Sequence, residues 1–402
     1  MKLIVQKYGG SSLSTLEKID SLAAKIAERE RGGERLVLVV SAMGNTTDEL
    51  TRMARTLMEE PPARELDMLL ATGEQISIAL MAIALHGYGM DAISYTGAQI
   101  GLKTDTLHTQ ARVLGVDAEK IKKQIERGRV VIVAGFQGVT AEDDVTTLGR
   151  GGSDITAMAL AVALGAERLE KCTDSDGVYT ADPKIFPQAR RIERLSYEEM
   201  LEMSHEGAKI LHPRAVFFAW KYRIPILVRH SFIEGGGTWI DEMEGNVEQP
   251  IISNVTQDST IAKVSVYKVP DRPGVAYRIF EALSSHDISL DMIVQSTTMS
   301  QVNDVCFTVK RGDLARAREA LESLRQEYEG IEIDSDDSVG KVSLIGLGIR
   351  SDPSVPKEMF RILAEEGVNI HMIATSDVKI SCVISEAQLK SAVRALCRHF
   401  FP

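Results

Sequence analysis

Short apolar runs that end in glycine- or serine-containing loops recur along the first half of the chain. Leu3-Ile4-Val5 leads into Lys7-Tyr8-Gly9-Gly10-Ser11-Ser12, Leu36 to Val40 into Ser41-Ala42-Met43-Gly44, and Val130 to Ala134 into Gly135-Phe136-Gln137-Gly138. Runs of this length read as buried strands. Helical patterns are predicted between them near 47–59 and 64–86, separated by Pro61-Pro62, which cannot continue a helix. The longest apolar stretch, Ile76 to Leu85, is too short to cross a bilayer and reads as a buried helix. Strands alternating with helices predict an α/β fold: an open sheet with helices on its faces. Ligands in such sheets bind beyond the carboxyl ends of the strands, where these loops fall.

The pattern changes after the Gly-rich segment Glu234-Gly235-Gly236-Gly237-Thr238 and the acidic, polar stretch Glu242 to Pro250, and a domain boundary is expected there. Beyond it the chain repeats itself at an offset of 80: Pro273 meets Pro353, Val275 meets Val355, Phe280 meets Phe360, Leu283 meets Leu363, and Met292-Ile293 meets Met372-Ile373. Each copy reads strand, Pro-containing loop, amphipathic helix, strand. Two copies of one module are too few for a solenoid and suggest a paired regulatory or assembly domain.

With 402 residues, two or three domains are expected. The net charge of −11 argues against nucleic-acid binding, which needs a basic face. Residues 1–10 do not read as a secretory signal. Cys172, Cys306, Cys382 and Cys397 have neither metal-ligand spacing nor the look of a disulfide framework, which favours a reduced, cytoplasmic setting.

The first loop offers positive charge from Lys7, close backbone approach at Gly9 and Gly10, and a helix start for which Ser14-Thr15-Leu16-Glu17 has capping-box spacing. Main-chain amides and the positive helix end suit a phosphate. By itself, Gly-Gly after a strand is an ordinary turn, and G-x-x-x-x-G-K-[ST] is absent. Leu148-Gly149-Arg150-Gly151-Gly152-Ser153-Asp154 places glycines before a second helix, with an arginine fork suited to a carboxylate. Asp154 is equally good as a cap. Glu74, inside an apolar helix, needs a partner, either a substrate ammonium or a neighbouring arginine. The loop from Thr173-Asp174 through Tyr179 to Asp182-Pro183-Lys184 is rich in turn formers. Gly207-Ala208-Lys209-Ile210-Leu211-His212-Pro213-Arg214 adds another lysine, with His212 expected to be a helix-end residue. Phosphoryl transfer needs positive charge and alignment rather than a catalytic histidine.

Taken together, these segments resemble the aspartate kinases of the amino-acid kinase family. The family's Lys-Phe-Gly-Gly-Thr-Ser appears as Lys7 to Ser12, its Val-Val-Ser-Ala-Met-Gly as Val39 to Gly44, and its Thr-Thr-Asp-Glu-Leu as Thr46 to Leu50. Gly-Arg-Gly-Gly-Ser-Asp is intact at 149–154, Ser175 replaces a valine in Thr-Asp-Val-Asp-Gly-Val-Tyr, and Ile210 replaces one in Gly-Ala-Lys-Val-Leu-His-Pro-Arg. The resemblance implies an amino-acid-kinase domain over 1–245, followed by two ferredoxin-like βαββαβ (ACT) modules over 260–335 and 341–402.

It also implies ATP-dependent phosphorylation of the β-carboxylate of L-aspartate, with Mg²⁺ carried by ATP and no protein metal cage. By the same resemblance, Lys7, Asp154 and Lys209 are catalytic. Ser41, Thr47, Glu74, Arg150, Gly151, Gly152 and Ser153 would bind aspartate. Lys7, Tyr8, Gly9, Gly10, Ser11, Thr173, Asp174, Tyr179, Asp182, Lys184, Lys209 and Ile210 would bind the nucleotide. Lysine or threonine would bind as effector at Asp271, Gly274, Ala276, Asp291, Gln295, Asn369, Ile370 and Ser376. A homodimer through the ACT modules is expected, or a higher oligomer with a shorter regulatory subunit begun near Met243. No nucleic acid or membrane partner is expected. The alternatives are a sibling kinase of glutamate, N-acetylglutamate or carbamate, and a non-catalytic amino-acid sensor.

Overall fold

The computed structural model describes residues 2–208, 210–242, 252–297, 302–349 and 352–402. Lys209 and Met243, both named above, lie outside the described residues. The chain divides into two compact units. One comprises Met1–Val178, Arg191–Ser204 and Lys209–Val247, and the other comprises Tyr179–Arg190, His205–Ala208 and Glu248–Pro402.

The first unit runs β1 (Leu3–Tyr8), α1 (Leu16–Arg31), β2 (Arg35–Val40), α2 (Thr46–Leu57), α3 (Ala63–Leu70), α4 (Thr72–Gly87), β3 (Ala92–Tyr95), β4 (Lys103–Thr104), β5 (Val113–Gly115), α5 (Glu119–Glu126), β6 (Val130–Ala134), β7 (Gln137–Val139), β8 (Val145–Thr147), α6 (Gly152–Leu164) and β9 (Arg168–Thr173). It continues through β10 (Arg194–Ser196), α7 (Tyr197–His205), α8 (Pro213–Tyr222), β11 (Ile226–His230) and β12 (Thr238–Asp241). Its main sheet has eight strands in the order β10-β12-β11-β9-β1-β2-β6-β3. The strands from β11 to β3 pair in parallel. Side chains alternate faces along a strand. Ile4 and Tyr8 of β1 join Leu36, Leu38, Val40 and Ile132 in a core closed by Ile19, Leu22 and Ile26 of α1 and Ile78, Met81 and Leu85 of α4. Lys7 faces the other way, toward α6.

Two local expectations change. Helix α1 is capped by Thr15, whose hydroxyl accepts from Lys18 N at 3.3 Å, one residue later than the capping-box spacing suggests. Ser14 instead donates its hydroxyl to Ser11 O, so it is unavailable as the cap. The predicted helix 64–86 is broken at Ala71, whose carbonyl accepts from the Gln137 side chain at 2.9 Å. By length and composition Ala63–Gly87 is apolar enough to span a membrane, but half of its most apolar window is buried, as in the core helix of a globular unit.

The second unit contains β13 (Asn254–Asp258), β14 (Ile261–Pro270), α9 (Val275–Ser284), β15 (Leu290–Thr297), β16 (Val302–Lys310), α10 (Leu314–Glu327) and β17 (Glu332–Asp336). It ends with β18 (Val339–Ile345), α11 (Ser354–Glu365), β19 (Ile370–Thr375), β20 (Lys379–Ser385) and α12 (Leu389–Phe400). The first module is βαββαβ with strand order β15-β16-β14-β17. The second has order β13-β18-β20-β19, so its fourth-strand position is filled by β13, which precedes both modules in the chain. The offset-80 pairs fall on matching elements, with Val275, Leu283 and Val355, Leu363 buried on α9 and α11.

Fully buried charge lies within this unit. The Lys341 ammonium bonds to Glu206 at 2.9 Å and to Asp291 on β15. Glu206 also accepts from Lys379 at 2.6 Å and from Ser343 at 2.6 Å. Burial opposes ionisation of Glu206, but Lys341 and Lys379 overcome it and hold the carboxyl down at about 2. The same carboxylates keep Lys341 charged against its own desolvation.

Candidate active site

The register of β1 on β9 sets Lys7 beside Lys171, and Gln6 beside Glu170. Neighbouring parallel strands lie about 4.8 Å apart, so two ammonium groups enter the same face of the sheet side by side. Asp154, in the first turn of α6, meets both: its Oδ1 accepts from Lys7 Nζ at 2.9 Å and from Lys171. All three side chains are buried. Burial alone would raise the Asp154 pKa, but Lys171 and Lys7 hold it well below the usual carboxylate range. Desolvation pushes Lys171 down, Asp154 opposes this, and the Lys7 charge adds to it. On the opposite face Glu170 is satisfied by Gln6, Arg29 and Arg168.

The surrounding loops fit tightly. Lys7 Nζ lies 3.7 Å from where a Cβ on Gly9 would stand. A Cβ on Gly10 would come within 2.8 Å of Ala42 O, so only glycine lets the first loop meet the β2 loop. Ser41 donates its hydroxyl to Ser153 Oγ at 2.9 Å. Gly151 has φ +72°, and a Cβ there would be 2.6 Å from the His212 ring. His212 caps α8, accepting from Arg214 N, as a helix-end residue does. Arg214 in turn donates to Leu148 O and Ala111 O and so supports the start of the 148–154 loop.

Glu74 accepts from Ala42 N at 3.0 Å through Oε1, while its buried Oε2 has no partner. No arginine meets it among the described residues. Burial pushes its carboxyl up to about 7, against the Ala42 hydrogen bond and the field of Lys7. The buried half-satisfied carboxylate suits the ammonium end of an α-amino acid, and Arg150, exposed in the loop before α6 and without an ion pair among the described residues, suits its carboxylate end.

Lys7, Gly9, Gly10, Ser41, Glu74, Gly151, Gly152, Ser153 and Asp154 thus converge in the first unit. Thr47 sits in the first turn of α2 and is half-buried. The Tyr8 ring lies on the face away from Lys7, its hydroxyl donating to Gln6, so its side chain belongs to the α1 core. The Ser11 carbonyl accepts from Lys18 Nζ. Thr173 donates to Asp174, and its carbonyl accepts from Ser231. Tyr179, Asp182 and Lys184 belong to the second unit, where Asp182 forms a turn by accepting from Lys184 N and Asn254 donates to Tyr179 O. Ile210 is half-buried in a turn. Lys171 escapes a motif reading altogether, since a lone lysine in Leu169-Glu170-Lys171-Cys172 signals nothing until β9 is paired with β1. Cys172 is a buried thiol pushed up to about 12 by desolvation, a packing residue of the α1 core.

The effector candidates occupy both modules of the second unit. Asp271 accepts from Asn303 at 3.1 Å, Gly274 begins α9 at φ +95°, Ala276 lies in the first turn of that helix, and Gln295 is exposed on β15. Asn369 and Ile370 lie at the start of β19, which runs beside β15. Ser376 lines a cavity of about 410 Å³ with Asp352, Pro353 and Asp377.

Comparison with known proteins identifies the family. The amino acid kinase family profile matches residues 2–230, and the ACT domain profile matches 267–324 and 342–400. The chain belongs to the amino acid kinase family. It is 47% identical over 397 residues to aspartate kinase Ask_LysC of Stutzerimonas stutzeri, covering 98% of this chain and 96% of that one. It is 45% identical over 405 residues to the aspartokinase of Corynebacterium glutamicum, covering 100% and 96%. E. coli aspartokinase III, solved with aspartate and ADP, superposes with a TM-score of 0.86 at 25% identity and full coverage of both chains. Within the family, then, the enzyme is an aspartate kinase with tandem ACT domains.

Proposed function

We propose that the enzyme transfers the γ-phosphoryl group of ATP to the β-carboxylate of L-aspartate, giving 4-phospho-L-aspartate. The observation that carries this reading is the pair of buried lysines on one carboxylate, close to the glycine loop at Gly9 and to a half-satisfied Glu74. Lys7, with the amides of Gly9 and Gly10, holds the β- and γ-phosphates, and Asp154 fixes the ammonium geometry. Glu74 takes the α-ammonium. Arg150 and Ser153, assisted by Ser41, Thr47 and the amides of Gly151 and Gly152, hold aspartate carboxylate. Thr173, Asp174, Tyr179, Asp182, Lys184, Lys209 and Ile210 serve the nucleotide, and Mg²⁺ enters with it. The acceptor carboxylate is ionised at pH 7, so no general base is required. Positive charge fixed in a dry site stabilises the developing transition state.

The kinase domain is assigned to 1–245 and the ACT modules to 260–335 and 341–402, in a cytoplasmic protein. Lysine or threonine binding at the modules inhibits by shifting a conformational equilibrium. Support comes from the Lys341 network: it ties Asp291, an effector candidate, to Glu206, three residues before Lys209 in the chain. Ile293 and Ile373, equivalent in the repeat, are 50% and 43% exposed, which favours assembly between chains through the modules. The test is a coupled assay with ATP and aspartate, glutamate, N-acetylglutamate or carbamate, each with and without lysine plus threonine. Turnover restricted to aspartate is expected, and turnover of another acceptor in its place refutes the reading.

A further inference from the structure

Among the described residues, Lys171 is the one buried cation of the site to which the reading above gives no role. It projects from the middle of the sheet, at the register position next to Lys7, and both ammonium groups bond to the same oxygen of Asp154. Like charges on directly opposed strand positions repel. A buried cation without a matching anion is costly. Two lysines against one aspartate leave an excess of positive charge in a site whose side chains are less than a tenth exposed. Glu74, raised toward neutrality by burial, offsets it only in part. If Lys171 served only to neutralise Asp154, Lys7 already does so at 2.9 Å and a second lysine would be surplus.

We propose that Lys171 is a second phosphate-holding cation, grasping the terminal phosphates of ATP together with Lys7 while Asp154 sets the distance between the two ammonium groups. The proposal rests on the phosphoryl-transfer reading and adds a residue to it. Among the described residues, the charged groups facing Lys171 are Asp154 on α6 and Lys7 on β1; β11 presents the apolar Val228 at its register position.

The test compares Lys171→Met and Lys171→Arg in the full-length enzyme, with AMP-PNP and AMP as binding probes. In Lys171→Met, kcat is expected to fall at least a hundredfold. AMP-PNP affinity is expected to fall tenfold or more while AMP affinity stays within threefold, a discrimination that general loosening of the fold does not produce. Lys171→Arg should restore most of the AMP-PNP affinity. A folded Lys171→Met with kcat within threefold of wild type, or with AMP-PNP and AMP weakened equally, overturns the proposal. Should Lys171→Met fail to fold, wild type and Lys171→Arg decide through the alkaline limb of kcat/KM. Arginine does not titrate there, so the limb moves up or disappears if Lys171 must be charged, and an unchanged limb overturns the proposal. Failure of the underlying reading looks different: wild type itself would then bind AMP-PNP no better than AMP.

Discussion

Replacing Glu74 by glutamine separates binding from stability. The side chain is 2% exposed, and its raised pKa, about 7 against 4.5, corresponds to ~3 kcal/mol against the ionised form at about 1.4 kcal/mol per pH unit. The folded state favours the protonated carboxyl. The penalty is therefore absent below pH 4.5, grows as pH rises toward 7, and is complete above it. Glutamine carries no such penalty and can still accept from Ala42 N. In urea titrations Glu74→Gln should match wild type near pH 4.5 and be more stable at pH 8, by up to ~3 kcal/mol. The same change removes the charge that meets the substrate ammonium, a charge-assisted contact worth ~2–3 kcal/mol, so KM for aspartate should rise roughly 30- to 150-fold. KM for ATP should be little changed. In wild type, KM for aspartate should climb as pH falls below about 7, because the ammonium must then displace a proton. In the variant that climb should vanish. Steady-state kinetics from pH 6 to 8.5 provide the assay. An unchanged KM for aspartate in Glu74→Gln refutes the reasoning, as does a variant less stable than wild type at pH 8.

Glu206→Gln should destabilise the second unit by ~3–5 kcal/mol, because it leaves Lys341 and Lys379 short of a buried counter-ion; hydrogen exchange on β18 and β20 would report it. In wild type the contribution of Glu206 is present above pH 4.5 and is lost as pH falls toward 2, so acid unfolding of that unit should be steeper than in the variant. Gly151→Ala forces a left-handed φ on alanine and a contact with His212, and should raise KM for aspartate while sparing nucleotide binding, as read by ADP titration. Lysine and threonine, titrated singly and together, should lower activity in wild type; indifference to both removes the regulatory reading.

Most of the first unit was legible because its information is local. A three- to five-residue apolar run followed by glycine specifies a strand and its loop wherever the strand lies in the sheet. Glu74 stood out because a carboxylate in an apolar helix needs a partner, and the structure leaves one of its oxygens without one. Lys171 was illegible because its meaning depends on register, which pairs residues 164 positions apart. The place of β13 was hidden for the same reason: Asn254-Val255-Thr256-Gln257-Asp258 carries no local mark saying that it completes the sheet of the later module. The first helix cap slipped by one residue because Ser14 and Thr15 offer the same chemistry, and only the competing bond from Ser14 to Ser11 O decides between them.

Positive charge at Lys7, acting in the transition state, is what the phosphoryl transfer requires above all. The direct measurement is kcat of Lys7→Ala with saturating ATP and aspartate, on protein shown by circular dichroism to be folded. Losing one electrostatic stabiliser costs ~3–4 kcal/mol, so kcat should fall by two to three orders of magnitude. A folded Lys7→Ala enzyme with near-normal kcat would contradict the account.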